Sequence, residues 1–168
     1  LSSSSAASDV YKRQRLKLTD VEDTRFLHCN IKTLNLLVNV MAAEKAESMG
    51  CGECVFHRGD VVTECAHSNV SIIKDGIFKT HPTDHYILPG ITRMHIIQIC
   101  KDNGIPVDET PFTMAELMDA DEIIVSSSTK FCSPACEMNG TPIGGKAPEL
   151  VKLIQEKYME KFENETAN

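Results

Sequence analysis

A lysine at the mouth of an apolar run is the residue in this sequence best placed to do covalent chemistry. Lys32 stands in the stretch Cys29-Asn30-Ile31-Lys32-Thr33-Leu34-Asn35-Leu36-Leu37, between an extended segment and a helix start. Partial desolvation there would lower the pKa of its ammonium and free the amine to form an imine with an aldehyde. Glu64, at the end of a strand, offers a carboxylate. The helix opening at Gly90-Ile91-Thr92-Arg93 presents amides without intrahelical partners, suited to a phosphate dianion, and the hydroxyls of Thr92, Ser127 and Ser128 would complete the cradle. Pyridoxal phosphate needs all three features: an amine for its aldehyde, an acid at its ring nitrogen and donors around its phosphate. Each part alone has an ordinary reading as a solvated lysine, a strand-end acid, a helix start or a hydroxyl-rich loop. Their combination is what points to the cofactor.

The elements that must position these residues follow from spacing. Residues 16–27 read as extended and lead into the lysine. Apolar residues at 34, 37, 38, 41 and 42 recur at helical spacing and predict a helix over 33–49, with Gly50 just past its end. Residues 54–57 and 61–64 read as strands joined by Arg58-Gly59-Asp60, and 69–73 and 77–80 as strands joined by Lys74-Asp75-Gly76, together a meander. A helix from Gly90 to about 103 stops at Gly104 and Pro106, and Thr113 and Glu116 have capping-box spacing. Residues 121–125 read as a buried strand that empties into Ser126-Ser127-Ser128-Thr129. A hairpin across Asn139-Gly140 and an amphipathic helix over 147–161 complete the pattern. The expected fold class is α+β, with a strongly curved, mostly antiparallel, barrel-like sheet flanked by helices.

Composition sets the outer limits. With 168 residues, 42% of them hydrophobic, the chain can bury one sizeable core. Its formal charge of −7 argues against nucleic-acid and anionic-membrane partners, which draw on Lys and Arg. The absence of a membrane-length apolar run or a secretory leader predicts a soluble, cytoplasmic protein. Seven cysteines in that setting read as reduced thiols. A metal-binding alternative takes Cys51 and Cys54 with Cys132 and Cys136 as zinc ligands. Residues 1–14, beginning Leu1-Ser2-Ser3-Ser4-Ser5, read as a disordered, non-native leader, 15–161 as the folded domain and 162–168 as a tail.

Five collinear stretches resemble the larger, C-terminal domain of fold-type IV pyridoxal-phosphate enzymes, most closely the D-amino-acid aminotransferases. They are Cys29 to Leu37, Phe56-His57-Arg58 to Val62-Thr63-Glu64, Ser68-Asn69-Val70 to Lys74-Asp75-Gly76, Ile87-Leu88-Pro89-Gly90-Ile91-Thr92-Arg93, and Asp121-Glu122 to Thr129. The resemblance implies that Lys32 bonds the cofactor and moves the substrate proton, that Glu64 pairs with the ring nitrogen and that Leu88 lies against the ring. It assigns the phosphate to Gly90, Ile91, Thr92, Ser127 and Ser128, and gives Arg25 a supporting place nearby. The implied reaction is transamination between a D-amino acid and 2-oxoglutarate in a homodimer. Branched-chain aminotransferases and aminodeoxychorismate lyases share the lysine, the glutamate and the Pro-Gly-Ile-Thr-Arg run, and a chain that keeps the fold without catalysis is a further alternative. Two departures stand out. Cys65-Ala66-His67 replaces the family's glycine and hydroxyl residues after the glutamate. The family's smaller N-terminal domain, with its own arginine, tyrosine and carboxylate-trapping residues, is missing, so the chain alone is expected to bind the cofactor poorly and turn over little.

Overall fold

The computed structural model describes residues 15–166. The expected leader, residues 1–14, and residues 167–168 lie outside the described residues. In chain order the elements are β1 (Leu16–Glu22), α1 (Leu37–Ser48), β2 (Glu53–Arg58), β3 (Val61–Cys65), β4 (Asn69–Lys74) and β5 (Ile77–Thr80). Then follow α2 (Ile91–Asp102), β6 (Val107–Asp108), α3 (Met114–Asp119), β7 (Glu122–Ser127), β8 (Phe131–Met138), β9 (Thr141–Pro142) and α4 (Pro148–Thr166). The last helix thus continues beyond residue 161, where the sequence pattern ended it. No helix among the described residues is long and apolar enough to cross a membrane.

Nine strands form one mixed sheet in the order β3-β2-β1-β8-β7-β4-β5-β6, with β9 paired to β8. Five of its pairings are antiparallel, and β1 with β2, β1 with β8 and β5 with β6 are parallel. The expected meander is therefore corrected: its two hairpins exist, but β3 and β4 are not sheet neighbours. Five strand spacings, roughly 24 Å, would separate them in a flat sheet. Residues 66–68 join them, and four peptide steps reach at most about 14 Å. The sheet must curl to bring the two together, and Cys65 N donating to Ser68 O at 2.7 Å closes the turn. Hairpin chemistry is local by contrast. Asp75-Gly76 and Asn139-Gly140 both turn with positive φ (50° and 77°, 49° and 79°), as two-residue turns matched to strand twist require.

The curl creates an inside and an outside. Leu18, Val55, Val62, Val70, Ile72, Ile123 and Val125 fill the interior with Phe112 and Leu117. On the outer face Ile73, Phe78 and Ile124 pack against Ile96, Ile97 and Cys100 of α2 and Val151 and Ile154 of α4. Strand β7 alternates between these two cores, which is why its apolar run is unbroken. The start of α1 also differs from expectation. It begins at Leu37, with no side-chain cap at Leu36, and buries Ala42 and Ala46 against Cys54 and Phe56 of β2, while the buried Asn39 donates to the Ala66 carbonyl (2.7 Å). Leu34 (97% exposed), Leu37 (70%) and Met41 (64%) stay outside, so their helical spacing does not mark a face this chain buries.

Ile72 and Ile77 lie on one hairpin, the first buried in the interior and the second 40% exposed. Ile72→Ala is expected to cost about 2–5 kcal/mol and Ile77→Ala under about 1 kcal/mol, measured by chemical denaturation of the two variants.

Candidate active site

Where β3 ends, the chain turns through 66–68 into β4, and the same mouth of the curled sheet receives the end of β7 and the start of α2. The segment between β1 and α1 crosses it. Together these enclose a cavity of about 720 Å³. Arg25 and Lys32 line it from the crossing segment, Glu64 from β3, Leu88 and Gly90 from the approach to α2, Ile91 and Thr92 from its first turn, Ser127 from the end of β7 and Ser128 from just beyond it. All nine residues singled out from the sequence therefore meet at one concavity.

Its floor is a buried charge network. Arg25 donates from Nε to Asp23 Oδ1 (2.9 Å), from Nη2 to Asp23 Oδ2 (2.9 Å) and to the Tyr86 carbonyl (3.2 Å), and from Nη1 to Glu64 Oε1 (2.5 Å). Its guanidinium lies 4.3 Å from the centre of the Phe56 ring. Glu64 Oε2 accepts from Asn69 Nδ2 and from the Leu88 amide, both at 3.0 Å. Burial pushes the Glu64 acid up from the usual 4.5 to about 7, over the opposing pull of Arg25 and the Leu88 amide. Burial also raises Asp23, but Arg25 and Arg58 outweigh it and hold that carboxyl below its ordinary range. One acid is thus kept ionised while its neighbour is brought near neutrality.

The phosphate-sized corner lies at the α2 N-terminus. Gly90 caps the helix without any side-chain acceptor, and the first turn carries no acidic residue. Gly90 is required here by packing, since its φ of −65° is ordinary. A Cβ at this position would stand 2.1 Å from Asn69 Oδ1, and Asn69 also donates to the Leu88 carbonyl (2.9 Å). Thr92 is buried beside it. Arg93, read with this helix start, does not line the cavity. It is fully buried behind it, bonded to Thr80, Thr83, the His81 carbonyl and Glu109, and so anchors the helix. Ser127 Oγ accepts from Lys130 N (3.0 Å) and meets Thr129 Oγ1 (3.3 Å), closing its own turn.

Lys32 departs from expectation. It lines the cavity but is exposed, in the irregular stretch before α1. The desolvation expected of it is not supplied by the described residues, because the helix that was to shelter it begins at Leu37. The lining residues not selected as site residues from sequence include Asn69, which holds Glu64 and fits Gly90; Ser126, buried at the end of β7; and Cys65, buried beside Glu64. Ser126 had a signal in its place next to the chosen hydroxyls, and Cys65 and Asn69 in lying within stretches that the resemblance had picked out. The cysteines of the zinc alternative are dispersed, with Cys54 in the α1–β2 cluster and Cys132 against α2 and α4. Among the described residues no three His, Cys, Asp or Glu side chains converge as metal ligands.

The family "Amino-transferase class IV" matches residues 2–138. The chain belongs to the class IV aminotransferases. It is 48% identical over 136 residues to a D-alanine aminotransferase of Listeria monocytogenes serotype 4b (strain F2365), covering 80% of this chain and 47% of that protein. To a D-alanine aminotransferase of Staphylococcus haemolyticus it is 48% identical over 144 residues, 83% of this chain and 51% of that protein. Among solved structures, the branched-chain amino acid aminotransferase from Escherichia coli superposes with a TM-score of 0.80 at 26% identity, over 88% of this chain and 52% of that one. The chain therefore spans about half the length of the class IV relatives it matches.

Two outcomes follow from the floor of this site. Gly90→Ala is expected to cost about 1–3 kcal/mol by overpacking Asn69, and less in an Asn69→Ala background, read from a double-mutant cycle of denaturation midpoints. Because folded Glu64 keeps a proton that the unfolded chain releases, its contribution to stability is full below about pH 4.5. It is lost as pH rises to about 7 and is constant above. The stability of the parent relative to Glu64→Gln should fall across that window.

Proposed function

We propose that this chain forms the cofactor-binding part of a pyridoxal-phosphate-dependent aminotransferase that exchanges the amino group of a D-amino acid with 2-oxoglutarate. The observation that carries this reading is the single cavity shared by an amine, a proton-holding acid and an uncapped helix N-terminus with hydroxyls around it. Identities of 48% to D-alanine aminotransferases, against 26% to a branched-chain enzyme, favour the D-amino acids as substrates.

The residues present suit pyridoxal phosphate. The first turn of α2 offers amides with no side-chain cap and no acidic neighbour, Gly90 adds no side chain to that corner, and Glu64 sits at an acidity that can share a proton with a ring nitrogen. When bound, the cofactor supplies an aldehyde that bonds amines and a ring that makes the substrate Cα proton acidic. Lys32 Nζ would hold the aldehyde carbon and then carry the proton to and from Cα. Glu64, oriented by Arg25 and Asn69, would keep a proton at the ring nitrogen, and Leu88 would lie against the ring. The amides of Ile91 and Thr92, with the hydroxyls of Thr92, Ser127 and Ser128, would bind the phosphate. The rest of the reading is a cytoplasmic homodimer in which a smaller N-terminal domain, outside this chain, shelters Lys32 and traps the substrate carboxylate.

Borohydride reduction of the 168-residue chain with stoichiometric pyridoxal phosphate, followed by peptide mass spectrometry, should label Lys32 ahead of its other lysines. Labelling scattered over the surface, or unchanged in Lys32→Ala, would overturn the reading. In the full-length protein Lys32→Ala should lower D-alanine transamination by about 10²–10⁴-fold, while the isolated chain should turn over little. Robust transamination by the isolated chain would contradict the role given to the missing domain.

A further inference from the structure

One imidazole that lines the cavity has no part in the reading so far. The turn from β3 to β4, residues 66–68, is fixed by hydrogen bonds to β2, to α1 and across itself. Ala66 N donates to Cys54 O (2.9 Å), Asn39 Nδ2 to Ala66 O (2.7 Å), Cys65 N to Ser68 O (2.7 Å) and Ser68 Oγ to Glu53 Oε2 (2.8 Å). His67 stands in the middle of this turn. Its side chain lines the cavity, is exposed, and has no hydrogen-bond or ion-pair partner among the described residues. Asn69 pairs with Ser126 across β4 and β7, so the chain entering β4 through His67 runs beside the chain leaving β7, at the wall of the cavity. A firmly held backbone that leaves its side-chain donors free is suited to recognising a ligand.

Charge indicates what His67 would meet. Glu64 is the one acid among the described lining residues, and it already accepts from Arg25, Asn69 and the Leu88 amide. Arg25 is in turn engaged by Asp23 and Glu64. Lys32 and His67 are the other lining groups able to carry positive charge, and neither has an acidic partner among the described residues. In the proposed reaction Lys32 bonds an aldehyde and gives up its charge to do so. 2-Oxoglutarate brings two carboxylates. The one beside the reacting carbon goes to the domain outside this chain, which leaves the distal one without a partner, and a carboxylate gains nothing by leaving water for an unpaired position. We infer that His67 donates to the distal carboxylate of a dicarboxylic reactant, 2-oxoglutarate or the amino acid formed from it, and so selects it over reactants with uncharged side chains. The inference rests on the proposed function and deepens it by naming the residue that distinguishes the amino acceptor.

The test compares 2-oxoglutarate with pyruvate as acceptor in the full-length protein, with one D-amino acid of uncharged side chain, other than D-alanine, as donor throughout. In His67→Ala the ratio of kcat/KM for 2-oxoglutarate to that for pyruvate should fall about ten-fold, as the loss of one charge-assisted hydrogen bond would give. The fall should appear mainly in the KM for 2-oxoglutarate, because the contact is remote from the reacting carbon and is made alike before and during the reaction. In the reverse direction D-glutamate should lose ground to D-alanine by a similar factor. An unchanged ratio would overturn the inference. Equal falls for both acceptors would also overturn it, by showing that His67 serves folding or the cofactor, and either result would leave the proposed function standing. A parent that transfers no amino group from a D-amino acid to 2-oxoglutarate would overturn the proposed function and this inference with it.

Discussion

Arg25 is a guanidinium held between two carboxylates away from water, and the site depends on that arrangement. It ties together the extension of β1, the end of β3 and the loop carrying Tyr86 and Leu88, three segments distant in sequence. Burying such charges is tolerable only when nearly every donor and acceptor is paired. Asp23 meets this condition by accepting from Arg25, Arg58 and Thr63, and Glu64 by accepting from Arg25, Asn69 and the Leu88 amide. Asp23 has two guanidinium partners, Arg25 and Arg58, and Glu64 has only Arg25, so their acidities move apart. Asp23 takes the role of permanent counter-ion, and Glu64 becomes an acid able to hold or share a proton near neutrality.

Floor and rim of the cavity are built differently. The floor is composed of paired strands, a buried ion network and a helix N-terminus packed so closely that only glycine fits beside Asn69. Donors held this firmly by their own packing lose little entropy on binding. The rim, residues 26–37, exposes Phe26, Leu27, Ile31, Leu34, Leu36 and Leu37, and carries Lys32 in reach of solvent. A monomer seldom leaves that much contiguous apolar surface uncovered. The chain accounts for about half of the length of its class IV relatives. Rigid donors thus form the floor of the cavity, whereas Lys32 stands exposed at its rim.

Much of this was readable from residue type and spacing. The two-residue turns at Asp75-Gly76 and Asn139-Gly140, the capping box from Thr113 to Glu116 and the doubly buried β7 all rest on short-range rules, and the structure has each of them. The nine chosen residues also meet, because the motifs that nominate them lie at element ends that the curled sheet gathers at one mouth. Spacing misled where apolar residues serve something other than the core of this chain. Leu34, Leu37 and Met41 have helical periodicity yet stay exposed, and the small residues Ala42 and Ala46 make the contact with β2.

By itself the sequence determined the local vocabulary: which residues turn, which alternate, and which types of group could serve an amine-bonding, phosphate-bearing cofactor. Those properties follow from interactions within a few residues along the chain. Only the tertiary structure decided that β3 and β4 are separated in the sheet though adjacent in sequence, that Asn69 makes Gly90 obligatory, and that Glu64 is brought near neutrality. Each of these depends on which distant groups exclude water from one another, and that is a property of the packed chain.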